Sequence, residues 1–192
     1  MSKGGLFGSA VLVLGVICIA GIVHIASILA MPFLASKDAY ARLAALAGPA
    51  QITLLPRAFP GKETLPFPDP AMARGLCLYD LSEGPLRIEA NVAPEALMTL
   101  SFRGRSGRVF YSMTDRAAFR GKIEVLLVTA EQLAEIEAED DEDEVPKELR
   151  LVAPTVQGFV FFTSLAERPS LYPEAEARIQ AVLCTAEQQE RK

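Results

Sequence analysis

The stretch PLRIEANV, residues 85–92, alternates with period two: Leu86, Ile88, Ala90 and Val92 are apolar, while Arg87, Glu89 and Asn91 between them are polar. Side chains of an extended chain point to opposite faces in turn, so this is a strand with one face in a core and the other in water. The next run, ALMTLSFR (96–103), repeats the pattern with Met98, Leu100 and Phe102 against Thr99, Ser101 and Arg103. RVFYSM (108–113) and KIEVLLV (122–128) are rich in β-branched and aromatic residues, and the glycines of RGRSGR (103–108) suit a hairpin turn. ELRLV (148–152) and GFVFFTSL (158–165) read as two further strands. Short strands joined by brief turns imply a mainly antiparallel sheet.

Helical signals interrupt this strand pattern. Thr129 followed three residues later by Gln132 matches a reciprocal capping box and opens a helix. That helix runs into EIEAEDDEDE (135–144), whose eight carboxylates repel one another and favour a solvated, mobile loop. The run lacks the spaced ligands and central glycine of a calcium loop. Pro173 begins a last helix, with Ala175, Ile179, Val182, Leu183 and Ala186 spaced to dock on the sheet. There is no internal repeat.

The chain has 192 residues and is 51% hydrophobic, and the apolar excess lies at the N-terminus. From Leu6 to Leu34 there is no Asp, Glu, Lys or Arg. As a helix these 29 residues span about 43 Å, against a hydrocarbon core of roughly 30 Å. A cleavable signal peptide is the competitor, with Lys3 as its basic end and Ala39-Tyr40-Ala41 as its cleavage pattern. Its apolar core would be only about 7–15 residues, so an uncleaved anchor is expected. Lys3 faces Lys37 and Arg42 across the span, a nearly balanced count that leaves orientation open. Beyond the span, Ser36 is placed to cap a short helix carrying Tyr40, Leu43 and Leu46. LPRAFPGKETLPFPDP (55–70), with prolines at 56, 60, 66, 68 and 70, then reads as an extended spacer. The expected order is a stub (1–5), a transmembrane helix (6–34), a juxtamembrane helix and Pro-rich spacer (35–74) and an α+β domain (75–192). That domain has a mainly antiparallel β-sheet and flanking helices.

The only histidine, His24, lies in GIVHIASILAMP (21–32) with no charged residue within ten positions. A Ser-His-Asp or Cys-His nucleophile is therefore excluded from the polar domain, as is a zinc site built on His and Cys. No phosphate-binding glycine loop or dinucleotide fingerprint is present, and no cofactor or metal is expected. A carboxylate pair from Asp80, Glu83 and Asp115 remains open, although acids at strand ends are ordinarily turn formers. A net charge of −5 argues against nucleic acid.

Two surfaces are candidates for contact instead of chemistry. Six basic residues against Asp115 lie between Arg103 and Lys122. Arg103, Arg105 and Arg108 suit anionic headgroups or an acidic partner, or are ordinary solvated turn residues. On a helix, His24 shares a face with Ala20, Gly21, Ser27, Ile28 and Met31, of which three are small. Ala20, Gly21, His24 and Ser27 are thus candidate contacts to a partner helix. A packed or interfacial histidine is the plainer alternative, and a haem or proton role a remote one. Outside the span, Cys77 and Cys184 permit either one bridge or two buried free thiols.

CLYDLSEGPLRIEANV (77–92), MTLSFRGRSGRVFYSMTDRAAFRG (98–121) and VLLVTAEQLAEIEAE (125–139) resemble the family labelled domain of unknown function 1254. The likeness is to its small, membrane-anchored bacterial members, and HIASILAMP with DAYARL beyond it is similar to the same group. YDLSEGP (79–85) is the most specific element. The resemblance implies an N-inside anchor in the inner membrane and a periplasmic domain, with no catalytic residues to transfer. Larger relatives carry a second domain of the 1214 type, so a separate membrane protein bearing that domain is the implied partner. A periplasmic setting also implies a disulfide between Cys77 and Cys184, since paired thiols bridge in an oxidising compartment. The resemblance supplies no activity; the leading reading of the residues is a cell-envelope binding or assembly module working with a membrane partner. The rival is a periplasmic enzyme or small-ligand binder, for which Tyr79, Asp80 and Arg87 would have to converge in a cleft.

Overall fold

The computed structural model describes residues 3–34, 38–59, 61, 68–92, 97–139 and 148–187. It divides into two compact units, Met1–Lys37 and Asp38–Lys192.

The first unit is one helix, α1 (Lys3–Leu34). Its segment Gly8–Met31 has a mean hydropathy of 2.7 and none of it is buried, so it is long and apolar enough to cross a membrane.

The second unit is mixed helix and sheet, in keeping with the α+β reading, but it holds two sheets. The larger sheet runs β1 (Thr53–Leu54), β2 (Met72–Asp80), β8 (Gln157–Leu165), β4 (Met98–Gly104) and β5 (Val109–Thr114) in spatial order, all antiparallel. The smaller runs β7 (Leu149–Val152), β6 (Lys122–Val128), β3 (Leu86–Asn91) and β9 (Leu183–Ala186). Its β6–β7 pair is parallel and the others are antiparallel.

The period-two strands fill one core from both sheets. Leu86, Ile88 and Ala90 of β3 and Val125 and Leu127 of β6 meet Leu100 and Phe102 of β4 and Val160 and Phe162 of β8. β2 is buried on both faces. Ala73, Cys77 and Tyr79 face this main core, while Leu76 and Leu78 form a second cluster with Phe159 and with Leu43 of α2 (Ala39–Leu43). At Gly75 the backbone admits α4 (Tyr172–Gln180), because a Cβ there would strike the Ile179 side chain.

The capping box at Thr129 forms: Gln132 N–H donates to Thr129 Oγ1 at 3.1 Å, and Thr129 N–H donates to Gln132 Oε1 at 2.9 Å. It opens α3 (Ala130–Glu139), and the Gln132 amide also donates to the Leu81 carbonyl at 2.8 Å. One side chain thus caps the helix and ties it to the chain after β2.

Four expectations change. The first five residues of the acidic run, 135–139, are helical, and 140–144 lie outside the described residues. The short helix after the span is capped by Asp38, whose Oδ1 accepts the Ala41 N–H at 2.8 Å; Ser36 lies outside the described residues. The segment read as a spacer belongs to the domain over residues 38–59: it contributes β1, and Leu55 and Ala58 are buried. Prolines stiffen a chain without keeping it off a surface, and Leu55 and Ala58 give this segment something to bury. The last helix ends at Gln180, and residues 183–186 form β9 along the edge of β3. The open hydrogen-bonding edge of β3 outweighs helical spacing there, and Leu183 is left exposed.

Candidate functional site

One end of the larger sheet carries a linked polar network. Asp80, the last residue of β2, accepts from Ser82 N–H at 3.1 Å, from Ser82 Oγ–H at 2.5 Å and from the Gln157 amide at 2.6 Å. Gln157 accepts through Oε1 from Arg105 Nη1 at 2.5 Å, and Arg105 Nε donates to Asp38 Oδ2 at 2.5 Å. Thr155 Oγ1 accepts from the Arg105 N–H at 3.2 Å and donates to the Gln157 carbonyl at 2.7 Å. Asp80, Ser82, Arg105, Thr155, Val156 and Gln157 line a shallow recess of about 330 Å³.

The electrostatics keep this network ionised. Burial pushes the Asp80 carboxyl up, but the bonds from Gln157 and Ser82 together outweigh it, and its pKa lies below the usual value. Asp38 is held low chiefly by the Ala41 N–H, with Arg105 assisting. Tyr40, whose ring lies 5.8 Å from the Arg105 guanidinium, is pushed up by burial and then by the Asp80 charge. A carboxylate held this low is a weak base toward the Ser82 hydroxyl, and every acceptor bond just named is made within the protein. The arrangement is a clamp: with the Tyr40 N–H donating to the Arg105 carbonyl at 3.1 Å, it fastens the start of the domain to the β4–β5 hairpin and β8.

The hairpin arginines therefore divide. Arg105 is held by Asp38 and Gln157. Arg103 donates to Ser101 Oγ at 3.3 Å and to the Gly107 carbonyl at 3.4 Å, with its guanidinium 5.9 Å from the Phe161 ring. Arg108 is exposed. Sequence reading missed the clamp because Asp38, Arg105 and Gln157 are far apart along the chain. The one local clue was an Asp just ahead of a short amphipathic run, a capping position.

Tyr79, Asp80 and Arg87 do not converge. Tyr79 is buried beneath the sheet, its hydroxyl donating to the Arg103 carbonyl at 3.0 Å, and burial pushes its pKa up to about 12. Arg87 lies on the smaller sheet, paired with Glu148 and Glu187. Of the three acids, Asp80 ends β2, Asp115 opens a short turn after β5, and Glu83 is an exposed turn residue. Among the described residues no three His, Cys, Asp or Glu side chains stand together as metal ligands.

Cys77 and Cys184 are joined by a disulfide, with Cα atoms 6.6 Å apart. Cys184 sits on β9 opposite Ile88 and not on a terminal helix, so the bridge ties one sheet to the other. On α1, Ala20, His24 and Ser27 line a groove with Val16, Ile19 and Val23. Gly21 has open space around it, and the Ser27 hydroxyl donates to the Val23 carbonyl at 2.8 Å within the helix.

No protein-family model matches this chain. No curated protein matches it either. In fold it is similar to the crystal structure of a protein from Vibrio parahaemolyticus, with a TM-score of 0.48, 10% identity, and coverage of 66% of this chain and 33% of that one. It is also similar to an uncharacterized protein from Burkholderia cenocepacia, with a TM-score of 0.46, 10% identity, and coverage of 79% of this chain and 40% of that one. The chain thus spans well under half the length of either structure.

Proposed function

We propose that this protein is a single-span inner-membrane protein of the kind found among small members of the 1254-type domain family, with its α+β domain in the periplasm. It acts as a binding or assembly module of the cell envelope. One observation carries this reading: the Gly8–Met31 segment has no charged residue, a mean hydropathy of 2.7, and nothing in its own unit that covers it. A helix hydrophobic all round is stable only when something apolar surrounds it, and a bilayer supplies that. The Cys77–Cys184 disulfide supports an oxidising compartment for the domain. The saturated clamp at Asp80 supports a module over an enzyme.

In the membrane, the His24 face pairs with a partner helix, since an imidazole facing lipid is costly and small neighbours allow close approach. A membrane protein carrying a 1214-type domain is the partner candidate. Anionic headgroups are met through Arg108, because Arg103 and Arg105 are engaged within the domain. A second reading, a small-ligand domain, rests on the recess at Asp80 and would require its internal hydrogen bonds to open.

The test is fractionation of the full chain. Alkaline carbonate washing should leave it in the membrane pellet, and protease added to spheroplasts should digest the domain while the membrane stays sealed. Release by carbonate would overturn the anchor, and a protected domain would overturn the periplasmic assignment.

A further inference from the structure

Phe119 is 74% exposed, more than any described apolar residue of α1, where the highest value is 68% at Leu12. It sits where the chain reverses between β5 and β6, next to Ala118, which packs against the main core. Single exposed apolar residues are ordinary on protein surfaces, so what matters is how this ring is held.

The ring stands on a rigid tip. Phe119 and Lys122 exchange both backbone hydrogen bonds, at 2.9 and 3.0 Å, closing a two-residue turn. Arg120 and Gly121 at its centre have φ of 53° and 79°. Positive φ at both centre positions is the mark of a type I′ turn, where Asn or Asp before Gly is the usual choice. A long side chain at the left-handed position of Arg120 is not what the turn itself favours. The Gly121 carbonyl accepts the Val92 N–H at 2.8 Å, which fixes the turn to the end of β3.

Two arginines flank the ring. The Arg120 guanidinium lies 5.2 Å from its centre, and Arg116 is three residues earlier, in the short turn after β5. Both are exposed, and neither makes an ion pair with a described residue. The neighbouring acids are turned elsewhere. Asp115 has one carboxylate oxygen sealed from solvent, and Glu89 and Glu124 both pair with Lys122.

An aromatic ring between arginines matches the interface of a phospholipid bilayer, where rings sit at headgroup depth and guanidinium forks meet phosphate oxygens. A projecting tip suits a deformable surface, whereas a protein would need a pocket shaped to receive it. On the anchor reading of α1, a bilayer is also the surface that this chain brings with it. We infer that the Phe119 tip docks on that surface: Phe119 enters the interface, and Arg116 and Arg120 donate to lipid phosphates. The inference rests on the proposed anchor. It adds to Arg108 a second contact at the opposite end of β5, about 20 Å away for a six-residue strand.

The chain has no tryptophan, so Phe119→Trp creates a single fluorophore at a position open enough to accept it. The full chain is placed in nanodiscs of phosphatidylcholine and phosphatidylglycerol, with or without bromine on the acyl chains. Docking predicts emission at shorter wavelength than tryptophan in water, and loss of intensity in the brominated discs. Leu183→Trp, at an exposed apolar site on β9 separated from β6 by β3, should keep water-like emission and full intensity. In the Phe119→Trp background, Arg116→Gln and Arg120→Asn should each lower the ratio of docked to undocked tip about fivefold, read from the quenched fraction. Asn tolerates the positive φ at position 120, so the turn is kept.

Short-wavelength emission without bromine quenching would put the ring against protein, a second copy or a partner, and overturn the inference. Water-like emission, equal quenching at 119 and 183, or quenching unchanged by both arginine replacements would also overturn it. Co-elution with the discs separates the two readings. A co-eluting chain with an unquenched tip overturns docking alone, and a chain that does not co-elute overturns the anchor and the docking with it.

Discussion

α1 and β2 are both nearly unbroken apolar runs, and the structure treats them in opposite ways. Along α1, Leu12, Ile19, Ile22 and Met31 are each about two-thirds exposed, at 68%, 65%, 67% and 67%. Along β2, Leu76, Cys77, Leu78 and Tyr79 are at 0%, 0%, 1% and 0%. The strand is completed by its own chain, with α4 and the smaller sheet on one face and α2 on the other. The helix has no such cover within its own unit, and it is long and apolar enough to cross a membrane. An apolar run thus states a requirement for burial, and only its neighbours show whether folding meets it.

The contrast breaks most sharply at the disulfide. Replacing Cys77 and Cys184 together by Ser should lower the stability of the domain by about 2–5 kcal/mol, read as a shift of its chemical unfolding midpoint, and leave carbonate resistance unchanged. An unshifted midpoint would mean that the sheets hold together without the bridge. The second test tightens the packing near β2. A Cβ at Gly158 would run into the Tyr79 hydroxyl and the Arg103 carbonyl, so Gly158→Ala should cost about 1–3 kcal/mol. Wild-type stability in that variant would show that β8 can shift away from β2.

The third acts on the helix alone. His24→Leu should preserve insertion and domain stability but weaken association with the partner helix by about 0.6–2 kcal/mol, measured as recovery of co-purified protein from mild detergent. Undiminished recovery of every partner would remove His24 from the interface.

The smallest effect is at the clamp between the start of the domain and the sheet. Arg105→Ala removes a half-exposed ion pair worth no more than about 1 kcal/mol, and should speed hydrogen exchange of Tyr40 and Ala41 amides. Acid should do the same. Asp38 and Asp80 have folded-state pKa values below their unfolded ones, so their contribution is complete above the ordinary carboxylate range near pH ~4 and is lost as pH falls through the folded values. Protection that stays constant from pH 6 down to pH 3 would show that the clamp does not depend on these charges.

Much of the domain was legible locally. The alternation at 86–92 and 98–103, the Thr129–Gln132 box and the uncharged span each rest on neighbours within one turn or one strand. Pairing of the cysteines came from the resemblance and not from spacing. The clamp was not legible, because Asp38, Arg105 and Gln157 meet only after the hairpin and β8 are in register.

Residue order alone marks most of the extended segments, the start of α3 and the membrane-wide apolar run of α1, because periodicity, capping and hydropathy act over a few residues. The tertiary structure decided that two sheets share one core, that residues 38–59 join the domain, and that Leu183–Ala186 end as a strand. The physical reason is the same in each case. A helical stripe and a strand edge were both available to the last residues, and the unpaired backbone of β3, a long way back in the chain, offered hydrogen bonds that no local pattern records.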